Sequence, residues 1–417
     1  MKGAKTWIET IGDKKYVVEP IGDLKYIIGD EEGNFRVATA VKENRDYTLE
    51  IVEDKSIILD EVLDTTTFSF RPNLDYIKQL NDKTIEKINP ESMFRGLVNY
   101  GKKYLDLQNE HDYLILALHI YQTYKIDNLS SVFLLAIDGD RNVGKTSVLE
   151  FCNDLGYRYG LIKNITGAGL MRVVEREGLN IGFDELDELQ DGQREDVMAT
   201  LRGSQRRNNK AIRLIKTNND FVPKHFDVFG SHSFCFRGTV EDALDSRTLS
   251  IQMKRTNDNT YSVVSTAREK EVYRLRNLLF YYRLYNYLIN DSKQKDFFEQ
   301  FTESELLTKE YITKAEARKN RHESYVILTK HLDEEVRNYL NKLFGRTAEL
   351  YLVVVNLAKS LGLSINSEIE NAFNKKVALM EAGYTDLEYH VKKWLLEHYA
   401  LLSQIKDKQQ TLEKDTE

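Results

Sequence analysis

The chain is poor in cysteine. Cys152 and Cys235 are its only two, both in apolar segments and without metal-ligand spacing. That points to reduced core residues of a cytosolic protein rather than a zinc module or a disulfide scaffold. Proline is also scarce, with four in 417 residues, and together with 24 tyrosines this favours a helix-rich fold. No run of about 18 apolar residues occurs, so no membrane span is expected. The opening residues, MKGAKTWIETIGDKK, have no apolar stretch, so no secretory signal is expected either. Excess positive charge is missing too. The formal net charge of −7 removes a whole-protein electrostatic footprint for nucleic acid, and any such contact must come from a local patch. What remains is an ordinary soluble balance, 41% hydrophobic and 30% charged, in a length that suits two or three domains.

Four regions follow from the patterning. Residues 1–72 read as a β-rich module. "IGDKKYVV" from Ile11 and "IGDLKYII" from Ile21 each place a Gly-Asp turn before a β-prone run, and "FRVATAV" and "YTLEIV" continue the meander. Residues 73–130 read as a helical linker or collar, with "NPESMFRGLVNYGKKYLDL" and "EHDYLILALHIYQTYKI" at helical spacing. Residues 131–258 alternate strand and helix: VFLLAI, KTSVLEFCNDLG, YGLIKNI, TGAGLMRVVEREG and LNIGFDEL. Such alternation predicts an α/β layer on a mostly parallel sheet. Residues 259–417 read as an α-helical domain, with helices at "VYRLRNLLFYYRLYNYLIN", "LDEEVRNYLNKLFG", "AELYLVVVNLAKSLG" and "YHVKKWLLEHYALLSQI". The last residues, KDKQQTLEKDTE, are expected to fray.

Within the α/β region, "AIDGDRNVGKTSVLEF" carries G-x-x-x-x-G-K-T. A strand is expected before it and an amphipathic helix after it, which is the context a phosphate-cradling loop needs. Gly139 and Gly144 permit the tight backbone path, and the loop amides through Asn142, Val143, Gly144, Lys145, Thr146 and Ser147 would face a phosphate. The helix adds its N-terminal partial charge. Lys145 would place a compact charge on the β- and γ-phosphates of ATP, and Thr146 would offer a hydroxyl to Mg2+. Val143 stands where many such loops carry a further glycine, but the two outer glycines shape the loop. In "LNIGFDELDEL", Asp184 ends an apolar run and would hold Mg2+, directly or through water. Glu185 follows as the carboxylate that would polarise an attacking water, which favours hydrolysis over transfer to a small acceptor. Asp187, Glu188 and Asp191 suit a solvated helix start.

From Thr200 to Asn219 no acidic residue occurs, while Arg202, Arg206, Arg207, Lys210, Arg213 and Lys216 cluster there. "KAIRLIK-TNND-FVPKHFDVFG" reads as a hairpin whose turn would bring Lys216, Asn218 and Asn219 to a nucleic-acid backbone. The competing reading is a solvated basic face, or arginines serving the nucleotide. "SHSFCF" reads as a further buried strand, with His232 a packing residue.

The order of these segments, from "DYLILALHIYQTY" through "IDGDRNVGKTSVLE", "NITGAGLMRVVE" and "IGFDELDEL" to "LFGRTAELYLVVVNLAKSLG", resembles the P-loop ATPases of phages, plasmids and archaeal mobile elements. It covers roughly residues 110–360. A strand–helix unit lies between the loop and Asp184, as in the branch with an additional inserted strand that includes AAA+ proteins and superfamily 3 helicases, and the short interval from Lys145 to Asp184 is closer to superfamily 3. The Ala-Leu-x-Ser-Arg step before the last strand resembles an arginine-finger box, with Arg247 as the finger for a neighbouring subunit. The alternative for Arg247 is a structural pair with Asp242 or Asp245. The family's polar sensor on the fourth strand has no clear equivalent, with Ser233, Arg237 and Thr239 all candidates.

The resemblance implies a cytoplasmic, Mg2+-dependent ATPase, in the host cytoplasm if the source is viral. It implies a homo-oligomeric ring, most commonly a hexamer, acting on single-stranded or forked DNA as a replicative helicase or translocase, with replication proteins as partners of the N-terminal module. Two other readings stay open: an AAA+-like protein remodeller or helicase loader, and a nucleotide-gated structural or packaging ATPase.

Overall fold

The computed structural model describes residues 5–63, 66, 68, 89–162, 166–184, 186, 189, 191–216, 221–237, 242–255, 266–290, 334–343, 345–363, 370–371 and 373–374. The helix expected around "YHVKKWLLEHYALLSQI" and the final tail lie outside them.

The N-terminal module is built from hairpins. Strands β1 (Trp7–Ile11), β2 (Lys14–Gly22), β3 (Lys25–Asp30) and β4 (Phe35–Thr39) pair antiparallel in chain order. The turns fall where the repeated Gly-Asp steps put them: Gly12 at φ +63 closes β1–β2, and Asp23 and Leu24 at φ +54 and +58 close β2–β3. Two consecutive positive-φ residues give the turn handedness that matches strand twist. A second sheet of β5 (Val41–Glu43), β6 (Asp46–Val52) and β7 (Lys55–Leu59) turns at Asn44 and Asp54, again with positive φ. Val18, Tyr26, Ile28, Leu49, Ile51 and Leu59 form the module's own small core.

Helices α1 (Pro90–Tyr104) and α2 (Glu110–Tyr124) follow. The start of α1 is set by Asn89, whose Oδ1 accepts the Ser92 amide at 3.1 Å, with Pro90 in the first turn, where a missing N–H costs nothing. Residues of α2 are buried on every side, as its nearly continuous apolar run requires.

The centre of the molecule is a five-stranded sheet: β8 (Leu134–Asp138), β9 (Tyr159–Ile162), β10 (Asn180–Phe183), β13 (Ser233–Phe236) and β14 (Thr248–Gln252). All four pairings are parallel, and the spatial order is β14-β8-β13-β10-β9. The crossovers carry α3 (Lys145–Leu155), α4 (Gly167–Glu177), α5 (Asp191–Ser204) and the short α6 (Asp242–Asp245). Thr166 caps α4 through the Gly169 amide at 3.2 Å, and Gly178 in the left-handed region ends it. Between α5 and β13 the chain makes a separate two-stranded hairpin, β11 (Ala211–Lys216) and β12 (Phe221–Phe226).

Side-chain alternation splits the sheet between two cores. Leu135, Ile137, Cys235 and Ile251 face a core shared with α1, α2, α3, α7 (Thr266–Asn290) and α9 (Gly345–Ser360). Leu134, Ala136, Ile181, Phe183, Phe234 and Phe236 face the core under α4 and α5. Helices thus cover both faces, and the short α8 (Glu334–Leu340) joins the first core. Helices α1 and α2, read from the sequence as a linker or collar, pack into that first core. Among the described residues no helix is long and apolar enough to cross a membrane.

One buried polar cluster ties the regions together. Glu19 of β2 accepts from Arg158 Nη2 at 3.1 Å, Tyr157 Oη at 2.6 Å and Thr6 Oγ1 at 2.5 Å. Arg283 of α7 donates to Thr6 Oγ1 at 2.8 Å, to the Tyr124 carbonyl at 2.8 Å and to Asp127, and lies 4.0 Å over the Tyr157 ring. Two guanidiniums and two carboxylates therefore balance in the interior, which is the condition for burying any of them.

Candidate functional site

The glycine-bearing loop leaves the carboxyl end of β8 at Asp138 and enters α3 at Lys145. Gly139 takes φ +154, Asn142 φ +62 and Gly144 φ +91. The first glycine is needed for space as well as for conformation. A Cβ there would stand 2.7 Å from the Met253 carbonyl oxygen and 2.8 Å from Val143 Cγ2. Met253 is itself pinned, its amide donating to the Asp138 carbonyl at 2.7 Å. Val143 thus packs against the face that Gly139 leaves bare, which explains how the loop holds a valine there. Gly144 is the cap of α3 and brings no side-chain cap, so the first amides of α3 and its positive dipole end stay with the loop. Ser147 N–H turns back to the Gly144 carbonyl at 3.0 Å. Lys145 curls over the loop and donates to the carbonyls of Gly139 and, at 3.1 Å, Asp140.

Asp184 follows β10 directly, and Thr146 Oγ1 donates to its Oδ2 at 3.0 Å. This joins two segments that are 38 residues apart at the carboxyl end of the sheet, the usual place for ligands in such sheets. A hydroxyl that gives its proton to a carboxylate keeps its oxygen lone pairs for a cation. Among the described residues no group of three or more His, Cys, Asp or Glu side chains could hold a metal. Thr146 and Asp184 suit a cation that takes most of its remaining ligands from phosphate and water, as Mg2+ does. Glu185, Asp187 and Glu188 lie outside the described residues, as does the side chain of Asp191.

Strand β13 separates the loop strand from the acidic strand. Its register pairs Phe183 with Phe234, so the next residues, Asp184 and Cys235, stand side by side. Cys235 faces α3 within the first core. Burial, and then the charge of Asp184, push this thiol well above the usual range, so it is held as S–H. The sequence alone did not single it out, because a cysteine in "SHSFCF" reads as a small core residue. Of the three sensor candidates, Ser233 is buried and bonded to Tyr159 Oη, Arg237 is half-buried after β13, and Thr239 lies outside the described residues. His232 is buried and packs as expected: Nδ1 accepts from the Ile181 amide and Nε2 faces the Val228 carbonyl, both at 3.2 Å.

The basic stretch is largely engaged with the chain itself. Arg206 makes a two-pronged contact with Glu349 of α9, 2.6 Å at both Nε and Nη2. Arg207 donates to the Leu129 carbonyl at 2.9 Å and to that of Ile126, and lies 4.4 Å from the Phe229 ring centre. Lys210 pairs with Asp227 at 3.2 Å, and Arg213 with Asp196 at 2.6 Å. Lys216, at the end of β11, is exposed and has no ion-pair partner among the described residues. The turn with Asn218 and Asn219 lies outside them. One face of the hairpin is apolar instead: Ile212, Leu214 and Phe221 are 62%, 61% and 60% exposed, with Leu214 opposite Pro223 and Phe221 opposite Lys216.

Arg247 sits at the amino end of β14 and takes part in the backbone there, its carbonyl accepting from Leu134 and its amide donating to Leu244. The loop lies at the other end of the five-residue strand, about 17 Å away at ~3.3 Å per residue. Arg247 and Lys145 are therefore not brought together within one chain. The side chain of Asp242 lies outside the described residues. Neither a protein-family model nor a curated protein matches this chain.

Proposed function

We propose that this protein is a Mg2+-dependent ATP hydrolase of the P-loop type. The observation that carries the reading is the hydrogen bond from Thr146 to Asp184 at the mouth of a loop whose first glycine has no room for a side chain. Residues 139–147 would wrap the β- and γ-phosphates with backbone amides, and Lys145 would exchange the loop carbonyls for phosphate oxygens. Mg2+ held by Thr146 and Asp184 would supply charge neutralisation at those oxygens. Glu185 would orient the attacking water and accept its proton as the bond to ADP breaks. Wild-type protein is expected to release phosphate from ATP, and Glu185→Gln to bind ATP with near wild-type affinity while turnover falls at least about a hundredfold. Equal turnover in the two proteins would refute the assignment of Glu185.

The hydrolase would work as a ring, most simply a hexamer. In this reading Arg247, a strand's length from the loop of its own chain, would complete the loop of another subunit. Lys145→Ala and Arg247→Ala proteins should each be inactive alone, and mixing them should restore activity at interfaces that pair an intact loop with an intact arginine. No recovery on mixing would remove the finger. For the output, translocation of single-stranded or forked DNA rests on the hairpin and Lys216. A second reading, remodelling or loading of a protein partner, is favoured by the apolar face of Ile212, Leu214, Phe221 and Pro223. DNA-stimulated hydrolysis that weakens steeply with salt and with Lys216→Ala supports the first. Insensitivity to both supports the second.

A further inference from the structure

We infer that Met253 is a positioning residue of the nucleotide site, holding both glycine bends of the loop in the shape that receives phosphate. The inference rests on the hydrolase reading above and adds to it a residue from outside the loop. Strand β14 is the outermost strand of the sheet and runs parallel to β8, with Gln252 opposite Asp138. The next residue, Met253, therefore stands beside Gly139, and its amide extends the ladder by donating to the Asp138 carbonyl at 2.7 Å. A Cβ at Gly139 would lie 2.7 Å from the Met253 carbonyl oxygen and 3.2 Å from Met253 Cβ, and a Cβ at Gly144 would lie 3.6 Å from Met253 Cε. One residue thus reaches the first glycine with its backbone and the second with the tip of its side chain. Met253 is buried in the first core with Ile137, Val148 and Ile251, and Val143 of the loop packs against that same core.

The loop needs such a support. Its backbone takes positive φ at Gly139, Asn142 and Gly144, and the two glycines that make this path possible are also the residues that lose most freedom in holding it. Amide dipoles that converge on one point are stable together only with an anion among them. A loop that relaxed without nucleotide would have to be ordered again on binding, at a cost in affinity. Lys145 crosses the loop and donates to the carbonyls of Gly139 and Asp140, but it would leave them for the phosphates. The support that stays in place with nucleotide bound is therefore the one at the end of β14. Methionine suits that place because its unbranched, flexible side chain can span an irregular gap from a strand end to a second bend of the loop. Met253 touches no reacting atom in this account and acts through the loop backbone.

The test compares Met253→Ala and Met253→Val, which lack the atoms that reach Gly144, with Met253→Leu, which keeps the bulk. Met93→Ala is the control for packing alone: Met93 is buried in the same core, in the first turn of α1. Each protein is melted, assayed for phosphate release and titrated with a fluorescent, non-hydrolysable ATP analogue and with ADP, in Mg2+ and in EDTA. The alanine variant is expected to lose about tenfold in affinity, what one amide hydrogen bond to a charged phosphate contributes. The loss should be the same for both nucleotides and with or without Mg2+, because the loop and not the metal is displaced. It should appear as a raised KM with kcat within about twofold of wild type, the pattern of lost uniform binding. The valine variant should lose affinity in the same sense, so the test stands even where alanine impairs folding. The leucine variant should return to within about threefold of wild type, as a volume-conserving change. Met93→Ala should lower the melting temperature and leave nucleotide affinity within about twofold. Wild-type affinity in both the alanine and valine variants overturns the inference. So does a leucine variant as weak as alanine, or a Met93→Ala protein that loses affinity as much as Met253→Ala, since the effect would then follow stability alone. If the wild-type protein binds neither nucleotide, the hydrolase reading itself fails and the role of Met253 falls with it.

Discussion

Gly139→Ala tests the loop through steric contact rather than charge. An alanine Cβ would lie 2.7 Å from the Met253 carbonyl oxygen and 2.8 Å from Val143 Cγ2, where ordinary contact begins at 3.4 Å. The Met253 carbonyl belongs to a backbone already bonded to Asp138, so the loop has to retreat by about 0.7 Å. Overpacking of this kind costs about 1–3 kcal/mol, and a side chain at φ +154 adds about 1–3 kcal/mol. If half of the total, about 1–3 kcal/mol, appears as displacement of the loop amides, nucleotide affinity falls about fivefold to a hundredfold, since each tenfold corresponds to ~1.4 kcal/mol. The assay is equilibrium binding of a fluorescent ATP analogue, with melting followed in parallel. Gly192→Ala is the matched control: a Cβ there meets nothing within 4 Å, it lies in the first turn of α5, and alanine in a helix is neutral or stabilising by up to about 1 kcal/mol. Wild-type nucleotide affinity in Gly139→Ala would refute the claim that residues 139–147 form a close-fitting cradle.

Other expectations concern the interior. Glu19→Gln leaves Arg158 and Arg283 facing one carboxylate fewer in a site where each is almost fully buried. Chemical denaturation should show a loss of about 3–5 kcal/mol. Arg206→Ala breaks a pair whose arginine is 54% exposed and should cost no more than about 1 kcal/mol, despite the good geometry. Burial lowers His232 to about 4, and burial together with His232 lowers His119 to about 3. Both stay neutral in the fold while the unfolded chain takes up protons below about 6.5. Their contribution is therefore complete above pH 6.5 and lost as pH falls toward 4, about 3 kcal/mol for His232 alone. Melting followed from pH 7 to pH 4 should show this decline, and His232→Gln should flatten it. A parallel decline in the variant would place the acid sensitivity elsewhere.

The local chemistry was legible in the sequence. The strand–loop–helix context of G-x-x-x-x-G-K-T, the apolar run ending at Asp184, the alternation that builds a parallel sheet and the hairpin after α5 all depend on neighbours in sequence, which residue pattern reports directly. What was not legible depends on partners brought from far away. Arg206 looked like part of a basic patch because Glu349, which answers it, lies 143 residues on. Glu19 looked like one polar residue in a strand, and only folding sets it between Arg158 and Arg283. Cys235 gave no signal because its place beside Asp184 comes from the sheet order, which inserts β13 between β8 and β10. Apolar spacing predicts which face a residue takes but not which strand stands beside it. The basic window was read from charge along the chain, whereas its fate was decided by acids on α5, α9 and the segment after β12.

The central claim is that a cradle for phosphate and a carboxylate for Mg2+ meet at the end of β8 and β10 to hydrolyse ATP. Phosphate release from ATP by purified full-length protein tests it most directly, with Mg2+ or EDTA, and with Lys145→Ala and Asp184→Asn alongside. Mg2+-dependent turnover in the wild type is expected, reduced at least about a hundredfold in either variant, as the loss of a charge-stabilising group at a transferring phosphoryl implies. Turnover that survives Lys145→Ala or EDTA, or its absence from the wild type with and without DNA, would contradict it.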